Sequence, residues 1–257
     1  MRFAILSDLH ANLEASEAAL ADARAAQCSH FVCLGDVVGY NANPHECVKL
    51  IQDLECPVVK GNHDEQASLL EPSHGFNELA EHAINWTREN LTDADKEWLR
   101  DLRLLRQVRD FTIVHATLDT PGQWGYVLNN LDAAASFTYQ HSTVCFFGHT
   151  HFPVAYVRDG GIPGGRSDPL MIEPGNGGVR RVKTDLLMIE PGKKYFINAG
   201  SVGQPRDGDW RAAYCIYDTE KNVVEQRRVK YDLVTAQKKI LKAGLPRLLA
   251  DRLSLGR

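Results

Sequence analysis

Thr143-Val144-Cys145-Phe146-Phe147-Gly148-His149-Thr150-His151 is the stretch on which the reading of this chain turns. A short apolar run bounded by glycine reads as a buried strand, so His149 and His151 sit on its exit. Four other runs end in the same manner. Phe3-Ala4-Ile5-Leu6-Ser7 opens onto Asp8-Leu9-His10, and Phe31-Val32-Cys33-Leu34 onto Gly35-Asp36. Pro57-Val58-Val59-Lys60 opens onto Gly61-Asn62-His63-Asp64, and Phe111-Thr112-Ile113-Val114 ends on His115. Ligands of open α/β sheets gather beyond the carboxyl ends of the strands. Strand exits rich in Asp, His and Asn therefore predict one metal site, assembled from distant parts of the chain.

The rest of the sequence sets the frame. At 257 residues and 44% hydrophobic content, a single domain over 1–257 with a substantial core is expected. The net charge of −4 gives no general attraction to nucleic acid or to an anionic membrane. No stable nucleic-acid partner and no membrane association are expected. The N-terminus shows no signal-peptide pattern, and no apolar stretch approaches the roughly 18 residues that span a bilayer. Cys28, Cys33, Cys47, Cys56, Cys145 and Cys215 are scattered without a C-x-x-C pair, which suits a reduced, cytoplasmic protein.

Along the chain the first half alternates strand and helix. A helix over 12–26 is capped by Asn12, and Asn43-Pro44 opens another carrying Val48, Ile51 and Leu54. The region 76–105 reads as two helices, the second announced by the capping box Thr92-Asp93-Ala94-Asp95. After Gly148, strand candidates follow closely at 154–157, 170–172, 186–189, 195–197, 212–217 and 223–231, and two helices close the chain from Leu233. A βαβ half followed by a strand-rich half suggests two sheets packed face to face with helices outside. Leu170-Met171-Ile172-Glu173-Pro174-Gly175 recurs as Leu187-Met188-Ile189-Glu190-Pro191-Gly192, within a stretch rich in Gly, Pro and Arg. This reads as a flap insertion at about 158–194.

Carboxylate, imidazole and amide oxygen together suit borderline divalent ions such as Mn, Fe, Co, Ni or Zn, and the lack of thiolate argues against a structural zinc site. The candidate ligands are too many for one ion and right for two. Two dications against Asp8 and Asp36, with Asn62 and four neutral histidines, leave a net charge of about two positive, or one with a bridging hydroxide. That balance suits a phosphate ester. Two ions roughly 3.5–4 Å apart lower the pKa of a water toward about 7 and stabilise attacking and leaving oxygens together.

In order, Asp8-x-His10, Gly35-Asp36, Gly61-Asn62-His63-Asp64, His115 and Gly148-His149-x-His151 resemble the ligand series of the calcineurin-like metallophosphoesterase superfamily. The string from Asn198-Ala199-Gly200-Ser201 to Gln204-Pro205-Arg206-Asp207 resembles small prokaryotic phosphoesterases grouped with diadenosine tetraphosphatases. The resemblance implies an α/β (α+β) fold, a four-layer αββα sandwich of two packed mixed sheets flanked by helices. It implies that Asp8, His10 and His151 hold one divalent ion, that Asn62, His115 and His149 hold the other, and that Asp36 bridges them. His63 matches the catalytic histidine that helps protonate the leaving oxygen, and Asp64 is expected to orient it through the second ring nitrogen. The activity implied is hydrolysis of phosphate esters or nucleotide phosphoanhydrides by a metal-bridging hydroxide, with a small phosphorylated substrate, nucleotides included. A nuclease-type phosphodiesterase and a non-catalytic metal-binding scaffold of the same fold are the alternatives.

One departure narrows this expectation. Protein serine/threonine phosphatases of the superfamily carry an arginine before Gly-Asn-His and another after Gly-Asp, where this chain has Val59-Lys60 and Val37-Val38-Gly39-Tyr40. Lysine does not replace the bidentate fork of arginine. Arg206 is the expected alternative phosphate clamp. Segments 39–43, 119–129 and 158–194 are expected to close over the site. His30, His45, His74, His82 and His141 match no motif and read as surface or structural.

Overall fold

Alternation along the first strand sets the layers. In β1 (Arg2–Leu6), Phe3 and Ile5 enter one core while Ala4 and Leu6 enter another on the opposite face, as the two-residue period of a strand requires. A computed structural model describes residues 1–69, 78–159 and 178–257. Its first half continues with α1 (Leu13–Ala25), β2 (His30–Cys33), α2 (Pro44–Gln52), α3 (Asn62–Ser68), α4 (Glu78–Glu89), α5 (Asp93–Asp101), β3 (Leu105–Val108) and β4 (Phe111–Val114). Then follow α6 (Asn130–Tyr139), β5 (Val144–Phe147), β6 (Val154–Asp159), β7 (Val179–Val182), β8 (Leu186–Met188) and β9 (Lys193–Asn198). The chain ends with β10 (Ala212–Asp218), β11 (Val223–Val229), α7 (Leu233–Lys242) and α8 (Arg247–Leu255).

The strands form two sheets, ordered β2-β1-β10-β11-β8 and β3-β4-β5-β9-β6-β7. Both are mixed. β1 runs parallel to β2 and antiparallel to β10, while β5 runs parallel to β4 and β9. Between the sheets Phe111 meets three other rings edge-on, at 5.2 Å from Phe3, 5.7 Å from Phe146 and 5.6 Å from Tyr217, a favoured geometry for aromatic packing. Outside the first sheet, Leu6 and Tyr214 pack with α1, α2, α7 and α8 through Leu20, Val48, Ile240 and Leu249. Outside the second, Phe147 and Phe196 stack at 4.1 Å and pack against Phe137 of α6. The expected order of helix, sheet, sheet and helix is what the chain forms.

Two local expectations need correction. The run at 57–60 is no strand: it makes isolated bridges, Val58 to Cys33 and Val59 to Arg103. The end of 76–105 is an edge strand, β3, and not helix. Of the stretch 158–194, β7 pairs with β6, and β8, from the second copy of the duplicated string, pairs with β11. The first copy, with the strand expected at 170–172, lies outside the described residues, as does His74. Among the described residues no helix is long and apolar enough to cross a membrane.

Candidate metal centre

β1 and β2 in one sheet and β4 and β5 in the other end at the same edge of the sandwich. Their exits turn sharply. Asp8, His10, Asp36, His149 and His151 all have positive φ, between 47° and 65°. This left-handed region costs a residue with a Cβ on the order of 1–3 kcal/mol and concentrates at functional sites. Here it turns the chain just past β1, β2 and β5, so that their side chains converge. All seven expected ligands are buried, with Asn62 at 8% exposure the least so.

The side chains converge in two groups. Donor atoms of Asp8, His10, Asp36 and His151 lie within 4.8 Å of one another, and so do those of Asp36, His115 and His149. Asp36 belongs to both. Asn62 joins the second group, its Oδ1 lying 3.2 Å from His115 Nε2. Asp8 is held by Ser7 Oγ at 2.6 Å and by the backbone N–H of His149.

The four imidazoles carry their protons on the outer side. His10 Nδ1 faces the Val38 carbonyl at 3.1 Å, His115 Nδ1 that of Leu34 at 2.8 Å, and His151 Nδ1 that of Gln204 at 2.6 Å. His149 is turned the other way, with Nε2 at 2.9 Å from the Trp124 carbonyl. A carbonyl can only accept, so each of these nitrogens is the donor, and in the neutral ring the inward nitrogen offers a lone pair. His10 Nε2 and His151 Nε2 consequently face each other at 3.0 Å. Two lone pairs at that distance repel, and a cation among them turns repulsion into coordination. The donor set fits divalent metal.

Electrostatics point the same way. Burial would raise the Asp36 carboxyl, but His115, His63 and His10 around it hold it well below the usual carboxylate range. Asp8 is likewise held below that range, against burial, chiefly by His151. Burial pushes His10 well down and His149 to about 3, and lowers His151. His115 is the exception: burial opposes its charge, yet the Asp36 carboxylate raises it to about 9. The pocket thus holds two anionic carboxylates among mostly neutral imidazoles, a Lewis-basic lining.

His63 stands beside this centre. Its backbone N–H donates to Asp36 Oδ1 at 2.8 Å. Its ring packs at 4.8 Å from His10 and 4.5 Å from Tyr40, and burial lowers it to about 4. Asp64 does not make the expected contact with this ring. Its Oδ1 accepts from the Val37 and Val38 N–H groups and its Oδ2 from Gly61 N–H. It therefore fastens the Asp36 loop to the start of α3, while burial and the neighbouring Asp36 raise it to about 7. Gly39 is what bounds the His63 ring, since a Cβ there would lie 2.5 Å from Nδ1. Lys60 is turned to the Arg100 carbonyl at 2.7 Å. Arg206 reaches inward, donating to Gln204 Oε1 at 3.2 Å, and its charge helps lower His63 and His151.

The family model of the calcineurin-like phosphoesterase superfamily domain matches residues 1–222. The chain belongs to this superfamily. Protein MJ0912 of Methanocaldococcus jannaschii is 36% identical over 258 residues, covering 99% of this chain and 98% of its own. A metallophosphoesterase from Sphaerobacter thermophilus, known as a crystal structure, is 36% identical with a TM-score of 0.83, over 100% of this chain and 99% of that one. Protein PH1004 from Pyrococcus horikoshii OT3 is 18% identical, with a TM-score of 0.78 over 100% of this chain and 98% of its own, and shares the fold.

In this superfamily member several supporting residues escape a reading of motifs. Asn198 binds the Gly148 carbonyl at 2.6 Å and Thr150 Oγ1 at 3.0 Å, tying β9 to the turn that carries His149 and His151. Its place in Asn198-Ala199-Gly200-Ser201 is the signal that could have found it. Tyr126, 52% exposed, lies over His149 at 4.2 Å. Tyr40 meets His10 edge-on at 4.7 Å. Neither stands in a pattern that spacing alone picks out.

Proposed function

We propose that this protein is a two-metal phosphoesterase that hydrolyses small phosphate esters or nucleotide phosphoanhydrides. The observation that carries the reading is Asp36, whose carboxylate is common to two buried donor groups. Asp8, His10 and His151 would hold one divalent ion with Asp36, and Asn62, His115 and His149 the other. When bound, such a pair supplies Lewis acidity toward a phosphoryl oxygen and makes a water acidic near neutral pH. The outward backbone carbonyls keep the imidazoles oriented for this before any ion arrives. His63, whose ring packs beside His10 and Tyr40, would help protonate the leaving oxygen once substrate and metal are bound. Asp64 acts through the backbone, keeping Asp36 and the start of α3 in register.

The test is metal analysis of protein purified without chelator, followed by turnover with added Mn, Fe, Co, Ni or Zn. Aryl phosphates, bis-aryl phosphates and dinucleoside polyphosphates form the substrate panel. Occupancy approaching two ions per chain, with hydrolysis lost to chelator and restored by metal, is expected. Two bound ions without hydrolysis of any ester would support the scaffold reading instead.

A further inference from the structure

Two arginines far apart in sequence each reach the same aromatic ring. The guanidinium carbons of Arg206 and Arg252 lie 5.7 Å and 5.8 Å from the centroid of Tyr40. Tyr40 in turn contacts His10 and His63. The two cations are therefore one ring removed from the donor groups.

This arrangement is built into the fold. The end of α8 is fastened to the loop that follows Arg206 by the Gly208 N–H, which donates to the Gly256 carbonyl at 3.0 Å. Gly256 has φ +60°, and a Cβ on it would lie 2.6 Å from Asp209 N. The C-terminal helix thus brings Arg252 to the ring that Arg206 also reaches, at a fixed register. Burial, with the charge of Arg206 added to it, holds Arg252 below the usual arginine range.

Neither cation is neutralised by a side chain. Arg206 donates to the Tyr40 hydroxyl at 3.5 Å and to Gln204 Oε1, and Arg252 uses Nε on the Arg257 main-chain oxygen at 2.5 Å. By contrast Arg227 and Arg228 are paired with Asp22 and Asp207. Among the described residues no Asp or Glu pairs with Arg206 or Arg252. Like charges that share one ring repel, and an anion accepted by both forks would relieve the repulsion while meeting their planar geometry.

We infer that Arg206 and Arg252 form a second phosphate subsite beside the metal centre, which binds the phosphate linked to the scissile one. The enzyme then favours substrates with two linked phosphates over simple monoesters. This rests on the phosphoesterase reading above and specifies its substrate class.

Calorimetry on the metal-loaded protein, with methylenediphosphonate and inorganic phosphate as probes, tests it. Wild type should bind the diphosphonate more tightly than phosphate by about tenfold or more. Arg252→Gln and Arg206→Gln should each reduce that preference by roughly ten- to a hundredfold, the scale of a charged hydrogen bond. Arg252→Lys, which keeps charge and loses the fork, should fall between and serves if the glutamine variant folds poorly. The same ratio should appear in KM for an aryl diphosphate against an aryl monophosphate. A merely structural arginine would weaken both probes equally. An unchanged preference in both arginine variants, with monoester hydrolysis intact in wild type, overturns the subsite alone. Absence of any ester hydrolysis by wild type overturns the subsite and the phosphoesterase reading together.

Discussion

Gly61→Ala is a one-carbon perturbation aimed at the shared carboxylate. The backbone there has φ −99° and ψ 171°, a conformation that alanine adopts freely, so any cost comes from contact alone. A Cβ at this position would lie 2.1 Å from Asp36 Oδ1 and 2.4 Å from Asp36 N, whereas ordinary contact begins near 3.4 Å. Asp36 must retreat by about 1 Å or more, several times the roughly 0.2 Å within which metal–ligand distances hold. Because both donor groups use Asp36, both ions should bind less well. A misplacement of about 1 Å commonly costs on the order of 10²-fold in turnover, and overpacking costs roughly 1–3 kcal/mol of stability. The assay is metal content per chain, aryl phosphate turnover and thermal midpoint, with Gly122→Ala as control. There the added Cβ meets only Leu104 Cδ1 at 3.3 Å, and little change is expected. If Gly61→Ala kept two ions and turned over within a few-fold of wild type, the steric argument for Asp36 would be wrong.

Further outcomes follow from the same geometry. Asp36→Asn keeps the shape and removes the shared charge, so occupancy of both ions should fall in parallel; loss of one ion alone would contradict a shared ligand. His63→Ala should lose about 10²–10⁴-fold in turnover, the range of general acid catalysis, with near-normal metal content. That loss should be larger for alkyl than for aryl leaving groups, and equal losses would mean that His63 only positions phosphate. Far from the site, Asp22 accepts from Arg227 at 3.0 and 3.1 Å and from the Tyr214 hydroxyl at 2.6 Å. Burial opposes its charge, but these bonds hold its carboxyl below the usual value. Its contribution is therefore present above the unfolded pKa of about 3.9 and lost as pH falls through the folded value. Asp22→Asn should cost up to about 1 kcal/mol near neutral pH in this partly exposed setting, by denaturant titration of metal-free protein. A gap that stays constant into strong acid would refute the assignment.

The layers and the donor set were legible because each rests on a short-range signal. Phe3 and Ile5 alternate with Ala4 and Leu6, and an alternation of that kind names both faces of a strand. Asp8, His10, Asp36, His149 and His151 follow directly on such strands, so chain connectivity alone brings them to one edge. What was not legible depends on contacts between distant parts. Leu105 follows Trp98 and Leu102 at spacings that mimic a helix, but it belongs to an edge strand whose residues 105–107 are exposed. The run at 57–60 has strand composition and finds only single-residue bridges. Asp64 stands next to His63 in sequence, yet backbone N–H groups of another loop claim its carboxylate. Arg252 looks in sequence like any charged residue of a helix, and only the docking of α8 on Gly208 gives it a place near the pocket.

The aromatic packing between the sheets acts as a vernier for the chemistry. Asp8, His10 and Asp36 hang from one sheet, and His115, His149 and His151 from the other, so each donor group straddles the seam. Phe111, wedged edge-on among Phe3, Phe146 and Tyr217, fixes how far one sheet can slide along the other. A slip too small to register as unfolding would still pull both donor groups apart. Metal affinity is therefore the finest gauge of that interior, and ions bound across the seam would rivet the two halves in return.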